Sequence, residues 1–429
     1  MRITNINIEN FKAIDSLQFN PRMLNILVGR NNTGKTSILQ AIELAFDKEY
    51  FSDLFYSRPS AALKYGENSA KLKLKVADDK RGLIELEIRR GSINELMVPI
   101  ENAVKRIFER ALQRTGNANL RTSKKEDRER RAREIEKELK EFLNIETILE
   151  IVEKGQLTKS AKESVNLIVD SQKDFVSGPT IDIIASESAF QIAGKLNIRE
   201  FLGWKEPRHT RLRYHVPFGE PLEHFVSSLY GGVETSKEEE RPPSPVFIDD
   251  PIEAIDEIIY DEKRQEVIAH EIDQIIKDDN LVPGLSRFNF NKLVFEGVED
   301  DVSMDSMGDG FKALIGILAS LYQQPKNTIV LLEEPEVHMH PGYLQELAKY
   351  LVNLSRTRNI QLFISTHSMD LIRCFLDLNS LPPANSKFVQ SEFFMLRLSH
   401  LKNVVISEEI DYDEAVGAIE ELEWDLRGI

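Results

Sequence analysis

The hydrophobic positions near the N-terminus predict strands, then a glycine-rich turn, then a helix. Apolar and polar residues alternate through residues 2–19, and residues 24–28 are almost entirely apolar. After Thr36, apolar residues recur at three- and four-residue spacing up to about Asp47, which is the period of one helix face. Three strands followed by a loop and a helix give the order in which a chain builds a phosphate-binding turn.

The next part of the chain changes character twice. Alternation returns at residues 71–76 and 83–88, and the polar stretch between them predicts a hairpin. Residues 99–236 are mainly helical in pattern and highly charged in their first half, which predicts an insertion standing off the main body. Residues 237–251 are charged and rich in proline, as linkers are.

The C-terminal part returns to regular structure. A long amphipathic helix is predicted at about residues 252–277, and strands alternate with helices over residues 288–363. Beyond Asn379 the pattern predicts only a short mixed segment. Alternating strands and helices predict an α/β fold.

Composition limits the classes of protein that fit. The chain has 429 residues, of which 41% are hydrophobic, so a large core is available. The net charge of −16 means that nucleic acid could bind only at a local basic patch. A single cysteine, Cys374, excludes an internal disulfide framework and fits a reducing compartment. With no apolar run near the roughly 18 residues of a membrane helix and no signal-peptide core, we expect a cytoplasmic protein without a membrane partner.

The strongest chemical signal is the phosphate-loop pattern G-x-x-x-x-G-K-[ST], matched at every fixed position between the predicted strand and helix. Its glycines allow consecutive N–H groups to converge on phosphate oxygens. Lys35 would reach the β- and γ-phosphates, and the Thr36 hydroxyl would hold Mg²⁺. We therefore expect ATP and Mg²⁺ as ligands. The predicted binding residues are Gly29, Arg30, Asn31, Asn32, Thr33, Gly34, Lys35, Thr36 and Ser37.

A second candidate is the pair of acids after the apolar run 328–332. A carboxylate at the tip of a strand beside a phosphate loop orients the water shell of Mg²⁺, and its neighbour accepts a proton from the attacking water. We assign Glu333 to the metal and Glu334 to the water. Taken alone, such a run more often marks a plain strand followed by a solvated turn.

A third candidate is His367, which follows the apolar run 361–366. An imidazole at the tip of a neighbouring strand could hydrogen-bond the γ-phosphate and respond to its loss. The alternative is an ordinary polar residue at a strand end.

These motifs, in this order, resemble those of the ABC-type ATPases of the RecF and overcoming-lysogenization-defect (OLD) group. The segments that carry the resemblance are 10–12 (Asn-Phe-Lys), the phosphate loop, 306–310 (Ser-Met-Gly-Asp-Gly), 333–341 (Glu-Glu-Pro-Glu-Val-His-Met-His-Pro) and 365–367 (Ser-Thr-His). The resemblance covers most of the chain in motif order, with the middle third weakly matched. It implies a P-loop NTPase fold of the ABC-ATPase type, with a mixed N-terminal sheet and a helical insertion.

The resemblance also implies a head domain that dimerises around ATP, sandwiched between one protomer's phosphate loop and the other's signature segment. The signature residues would be Ser306, Gly308 and Gly310. Met307 and Asp309 depart from the transporter-type signature, and we expect Asp309 to point away from phosphate and to cap a helix over residues 311–321. The alternative is a glycine-rich helix start without a ligand.

On this basis the chain divides into four parts. Residues 1–98 form an N-terminal ATPase lobe, 99–236 a helical insertion, 237–251 a linker, and 252–429 a C-terminal ATPase lobe with signature, acids and histidine.

The expected function is that of an ATP-hydrolysing switch. OLD proteins typically carry a C-terminal nuclease of the Toprim type, and this chain ends about sixty residues after His367. We therefore expect a separately encoded effector, with a Toprim-type nuclease as the candidate, and a role in DNA repair or in defence against phage or plasmids. The alternatives are the nucleotide-binding subunit of a transporter and a scaffold that senses ATP without hydrolysing it.

Three further patterns have competing explanations. The aromatic and basic residues of 204–215 could contact DNA directly, or pair with the protein's own carboxylates. The charged segment 124–140 is better explained as a solvated helix face than as a binding surface. Glu336, His338 and His340 suggest a metal site, although a structural or dimer-facing role fits them better.

Overall fold

The computed structural model describes residues 1–47, 62–67, 69–77, 82–89, 245–255, 262–278, 282–322, 324–337, 339–402 and 404–420. The chain divides into two compact units: Met1–Asp47, Lys71–Glu85 and Glu239–Ile429 form the first, and Lys48–Ala70 and Leu86–Glu238 form the second. All the predicted site residues belong to the first unit. The predicted insertion, including segments 124–140 and 204–215, lies outside the described residues.

The described strands are β1 (Arg2–Phe11), β2 (Ile14–Phe19), β3 (Leu24–Gly29), β4 (Ser69–Ala77), β5 (Leu83–Arg89), β6 (Val246–Ile248), β7 (Leu285–Phe288), β8 (Leu293–Phe295), β9 (Ile329–Glu333), β10 (Gln361–Thr366), β11 (Phe393–Leu401) and β12 (Val404–Ile410). The described helices are α1 (Lys35–Phe46), α2 (Glu262–Asp278), α3 (Asp309–Tyr322), α4 (Pro341–Arg358), α5 (Met369–Leu376), α6 (Pro383–Glu392) and α7 (Tyr412–Glu420). Short 3-10 helices cover Met304–Ser306 and Leu378–Ser380.

A six-stranded mixed sheet in the order β12-β11-β3-β10-β9-β6 positions the site. Strands β11, β3, β10, β9 and β6 are parallel to one another, and β12 runs antiparallel to β11. Every residue of β3 and β10 is buried, as expected for parallel strands covered on both faces. Since parallel strands share one carboxyl-end edge, the phosphate loop after β3, the acids after β9 and His367 after β10 come together there.

A second sheet, in the order β2-β1-β4-β5, is built from the N-terminal strands and the predicted hairpin. Gln361 fastens β1 to the central sheet, since its side chain accepts from Ile3 N at 2.7 Å and donates to Ile3 O at 2.9 Å. The side chain is fully buried, so these hydrogen bonds satisfy an amide that would otherwise be costly to bury.

Most element predictions near the site are confirmed: the three N-terminal strands, α1, the hairpin strands β4 and β5, and the strands that lead to Glu333 and His367. The α/β P-loop fold with a mixed sheet follows from them. The predicted helix at 252–277 is described as α2, starting at Glu262, and residues 256–261 lie outside the described residues.

Three local predictions differ from the structure. Helix α3 begins at Asp309, two residues before the predicted start, so Asp309 lies in its first turn and adds favourable charge there. The end of the predicted linker is strand β6, which pairs with β9 in the central sheet. The segment after Asn379 contains β11, which pairs in parallel with all of β3. Within the described residues, none of the helices has the length and apolar content to cross a membrane.

Candidate nucleotide-binding site

Glycine is required where β3 turns into the phosphate loop. Gly29 has φ +149°, and a Cβ there would lie 2.3 Å from Leu398 O of β11. Gly34 has φ +97° and precedes the first residue of α1. Thr33 closes the turn, since its N–H and hydroxyl both donate to Arg30 O, at 3.4 and 2.8 Å. The motif glycines therefore occupy backbone positions that other residues would strain.

The N-terminus of α1 faces the loop, and no side chain of its N-cap residue, Gly34, caps it. The first N–H groups of a helix have no partner within it, and they carry partial positive charge. The first turn of α1 has no acidic residue. Residues Arg30, Asn31 and Asn32 are exposed at the rim, whereas Ser37 is buried behind them. This arrangement suits an anion such as phosphate.

Lys35 lies buried at the centre of the site, with 5% of its surface exposed. Its Nζ donates to Gly29 O at 3.0 Å and to Arg30 O at 3.1 Å, and lies 2.8 Å from His367 Nε2. Burial lowers the pKa of the Lys35 amine, while the charge of Glu334 acts in the opposite direction. The lysine thus folds back on its own loop, and the three atoms around its amine hold positions that phosphate oxygens could take.

Glu333 and Thr36 form an oxygen pair next to Lys35. The Thr36 hydroxyl donates to Glu333 Oε1. Burial raises the pKa of the Glu333 carboxyl, against the opposing effect of the Thr36 hydrogen bond. A half-buried carboxylate beside a hydroxyl offers the hard oxygen donors that Mg²⁺ prefers, and a divalent cation would stabilise the charge that burial disfavours. The residues therefore fit Mg²⁺, with nucleotide and water completing its coordination.

Glu334 meets His367 across the tips of β9 and β10. Glu334 has φ +45°, in the left-handed region, and its N–H donates to Ser365 O at 2.9 Å. This turn directs its carboxylate to His367, with Glu334 Oε1 at 3.0 Å from Nε2. His367 thus lies between an amine and a carboxylate. A carboxylate, an imidazole and an amine therefore meet at one nitrogen atom.

Sequence patterns missed the role of Glu336, whose carboxylate accepts three hydrogen bonds from the chain around His367. Its Oε1 accepts from Thr366 Oγ1 at 2.6 Å, from His367 N at 2.8 Å and from Ser368 N at 3.2 Å. The only sequence signal for this role was a glutamate two residues after Glu334. Its partners, which begin at the end of β10, are distant in the sequence and could not be identified from it.

The segment that contains Lys12 borders α1. Lys12 has φ +50° and donates from Nζ to Gln40 Oε1 at 2.6 Å. Burial lowers its pKa, and the nearby charges of Glu43 and Glu333 oppose this shift. The pKa of Glu43 is raised to about 8, first by burial and then by Asp47. The Lys12 amine therefore lies among several carboxylates on this side of the Thr36–Glu333 pair.

Two more contacts near the loop were not predicted. His400, at the end of β11, donates from Nε2 to Asn32 O at 3.0 Å. Asp249 follows β6 and acts electrostatically on Glu333, raising the pKa of its carboxyl. Neither could be found from periodicity, because β11 was not predicted and β6 has only three residues.

No hydrogen bond described for the signature segment, residues 306–310, reaches this cluster. Ser306 is exposed at the end of the 3-10 helix and donates its N–H to Ser303 O at 3.0 Å, and Gly308 O accepts from Phe311 N. Gly310 lies in the first turn of α3. The hydrogen bonds described for this segment go to residues next to it in the chain.

A separate metal site at residues 336–340 is not formed by the described residues. Among them, no three His, Cys, Asp or Glu side chains are arranged to hold a metal. His340 caps α4 instead, accepting from Gly342 N at 3.1 Å. His338 lies outside the described residues.

Comparison with known proteins places this geometry in a family. Residues 24–373 match the family described as "AAA domain, putative AbiEii toxin, Type IV TA system". An uncharacterized protein of Methanocaldococcus jannaschii is 30% identical over 122 residues, which is 28% of this chain and all of that protein. The DNA replication and repair protein RecF of Chlorobium luteolum is 37% identical over 95 residues, which is 17% of this chain and 26% of RecF.

Two further similarities are more distant. A putative ABC transporter ATP-binding protein of Methanosarcina mazei is 23% identical over 127 residues, covering 28% of this chain and 38% of that protein. The SMC head domain from Thermotoga maritima is 12% identical and covers 96% of this chain and all of that structure, with a TM-score of 0.45. The chain therefore spans well under half the length of the RecF and transporter relatives. Membership of the OLD group remains a prediction.

The family match extends over most of the chain and contains the phosphate loop, Glu333, Glu334 and His367. The chain therefore belongs to the family of AAA domains that includes the putative AbiEii toxin, within the ATPases of ABC and AAA type.

Proposed function

We propose that this protein binds ATP with Mg²⁺ in the phosphate loop, hydrolyses it, and uses the cycle as a dimeric switch for a DNA-acting partner. The observation that carries the proposal is the meeting of Lys35, Glu334 and His367, from three separate parts of the chain, around one imidazole nitrogen. A lysine at the phosphates and a residue that positions or deprotonates the attacking water are what P-loop NTPases use, and an imidazole beside them could hydrogen-bond the γ-phosphate.

When ATP binds, contacts with its phosphates replace contacts that the chain makes with itself. Lys35 gives up the carbonyl oxygens of Gly29 and Arg30 and donates to phosphate oxygens, alongside the N–H groups at the start of α1. Thr36 and Glu333 would hold Mg²⁺, and the ion would neutralise charge on the phosphates.

Hydrolysis needs a base and a group that stabilises the transferred phosphoryl. Glu334 accepts the proton of the attacking water, because its carboxylate is 37% exposed and ends beside the loop. His367 Nε2 lies 2.8 Å from Lys35 Nζ. Once the lysine has turned to the phosphates, the tautomer with its proton on Nε2 can donate to the γ-phosphate. Lys35, Glu334 and His367 are therefore the proposed catalytic residues.

Dimerisation completes the site. Ser306 and Gly308 are exposed, and the hydrogen bonds described for their segment go to residues next to it in the chain, so a second protomer's γ-phosphate could approach the segment. Gly310 lies at the start of α3, where backbone N–H groups favour an anion. ATP would join the two protomers, and hydrolysis would release them.

The proposed partner is a separately encoded effector, with a Toprim-type nuclease as the candidate, acting in DNA repair or in antiphage or antiplasmid defence. The family description includes a putative toxin of a type IV toxin–antitoxin system, and the relative RecF is named for DNA replication and repair.

DNA itself would bind at Arg208, Arg211 and Arg213. Changing these three residues to Glu should reduce affinity and its salt dependence together. Unchanged affinity would remove the patch from the proposal.

The second candidate is the ATP-binding subunit of a transporter, which the name of the Methanosarcina mazei relative favours. The two candidates differ in what travels with the chain. Purification from native cells would recover membrane transport subunits in the second case and an effector or DNA in the first.

The decisive experiment compares the native chain with Glu334→Gln, using Glu346→Gln on α4 as the matched control. Removing the base should lower phosphate release on the order of a hundredfold or more, and should trap an ATP-bound dimer visible by light scattering. Glu346 is paired with Lys349 at 2.9 Å within α4, so its variant should behave as wild type. Equal phosphate release by the native chain and Glu334→Gln would refute hydrolysis at this site and leave an ATP-sensing scaffold.

A further inference from the structure

Glu336 and His367 belong to different parts of the chain but share a tight contact. The carboxylate comes from the loop after β9, and one of its oxygens accepts the hydroxyl of Thr366 and the main-chain N–H groups of His367 and Ser368. These donors are consecutive in the chain at the point where β10 turns into α5. A single oxygen thus fixes the main chain on both sides of the His367 imidazole.

The helix that follows does not need this carboxylate as its own cap. Ser368 caps α5 from within, because its hydroxyl accepts from Leu371 N at 3.1 Å. The contact with Glu336 is additional and reaches across from the neighbouring strand. Its effect is to join the loop that carries Glu334 to the loop that carries His367.

The path of the chain after Glu334 explains how two carboxylates reach one histidine. Glu334 adopts φ +45°, and its carbonyl accepts from Val337 N at 3.0 Å, which closes a turn. This turn brings Glu334 to the imidazole, at 3.0 Å, and Glu336 to the main chain of the same residue, at 2.8 Å. The short segment from Glu334 to Glu336 therefore contacts both the imidazole ring and the main chain of His367.

We propose that Glu336 is a positioning residue that holds the His367 main chain in place for ATP hydrolysis and ties the movement of His367 to that of Glu334. The proposal rests on the proposed function, because it assigns Glu336 to the same reaction. Glu336 touches neither ATP nor water in this role. When nucleotide binds, Glu336 keeps the backbone of the His367 loop fixed. Only the imidazole ring then changes its contacts.

The charge of Glu336 has a second consequence. Its other oxygen, Oε2, is buried and makes no hydrogen bond to the described residues. The carboxylate also acts on Lys35, raising the pKa of that amine against the effect of burial.

Two variants separate the anchor from the charge. Glu336→Gln retains an acceptor at Oε1 and should keep kcat within about threefold of wild type. Glu336→Ala removes the acceptor, and a shift of the imidazole of about 1 Å should lower kcat by about ten- to a hundredfold. The KM for ATP should stay within about threefold in both variants, because Lys35 and the helix amides still bind phosphate. Glu346→Ala, on α4, is the matched control.

A measurement without nucleotide tests the contact directly. In hydrogen exchange resolved to single amides, Glu336→Ala should speed exchange at His367 by at least about tenfold, with Ile364 inside β10 unchanged. Ser368 N also donates to Thr366 Oγ1 at 2.9 Å, so its exchange should change less. Glu336→Gln should protect both amides nearly as well as wild type does. If Glu336→Ala fails to fold, Thr366→Val and Glu336→Gln carry the test, and Thr366→Val should lose part of kcat.

The outcomes are distinguishable. Unchanged exchange at His367 and Ser368 in Glu336→Ala, or equal loss of kcat in the Ala and Gln variants, would overturn the proposal. A proportional rise in KM would do the same, since it would assign Glu336 to binding. A wild-type chain that releases no phosphate would overturn the proposed function instead. The exchange measurement would still decide whether Glu336 holds the loop.

Discussion

The close approach of α3 to the end of β6 makes Gly316 a sensitive test of the fold beside the site. A Cβ built at Gly316 would lie 1.8 Å from Pro251 O and 2.8 Å from Pro251 C. Pro251 follows β6 and the acid Asp249, which acts electrostatically on Glu333. We predict that Gly316→Ala destabilises the protein, although alanine favours a helix.

The magnitude follows from two opposing effects. In a helix interior, alanine is better than glycine by about 1 kcal/mol. Against this, the new methyl group must gain roughly 1.5 Å of separation from a main-chain carbonyl, and overpacking of this kind costs about 1–3 kcal/mol or more. A backbone atom cannot rotate away as a side chain can, so the cost lies at the upper end. The expected net effect is a loss of about 2 kcal/mol in the free energy of unfolding.

Gly417 provides the matched control, because it lies inside α7 and a methyl group added there would have no atom of the described residues within 4 Å. Gly417→Ala should therefore raise stability by about 0.5–1 kcal/mol. Urea unfolding, followed by circular dichroism, gives both midpoints with a common slope. The same change from glycine to alanine should therefore lower the free energy of unfolding at residue 316 and raise it at residue 417. A shift in the same direction and of similar size for both variants would refute the close approach between α3 and Pro251.

Three more predictions follow from contacts at the site. Lys35→Ala should weaken ATP binding by about ten- to a hundredfold, measured with a fluorescent analogue, because charge-assisted hydrogen bonds to phosphate are lost; unchanged affinity would contradict the assignment. His400→Ala should weaken ATP binding severalfold, since Asn32 O loses its donor at 3.0 Å, and an equal loss of thermal stability would instead indicate a folding defect. Glu43 has a folded pKa raised from 4.5 to about 8, so its stabilising effect is full below about pH 4.5 and is lost as the pH rises through about 8. Glu43→Gln should therefore flatten the fall in unfolding temperature over that range, and parallel pH profiles would count against it.

The sequence was sufficient wherever chemistry and periodicity coincide over a short distance. The phosphate loop needs Gly29 and Gly34 for the backbone angles that the structure shows, and Lys35 for its amine, all within one short turn. The tips of β9 and β10 were likewise marked by apolar runs that lead to Glu333 and His367. Local pattern therefore located the phosphate loop, Glu333 and His367, but not the contacts of Glu336 and His400.

What the sequence could not supply was pairing between distant segments. Strand β11 reads as a mixed segment because its exposed end carries His400 and Leu401, yet it lies against β3 for six residue pairs. Strand β6 is three residues long and follows prolines, which indicated a linker. Periodicity needs several residues to be visible, so a short strand is recognised only by the partner that it pairs with.

The contact between Lys35 and His367 gives the site a built-in response to nucleotide. The Lys35 amine is held within the chain by Gly29 O, Arg30 O and His367 Nε2, all within 3.1 Å. Phosphate must displace these partners, so binding frees the imidazole at the moment when a γ-phosphate arrives. Since Glu334 also lies 3.0 Å from that nitrogen, release of the lysine alters the surroundings of the proposed base as well. One exchange of partners would therefore link the presence of the γ-phosphate to both proposed catalytic groups, Glu334 and His367.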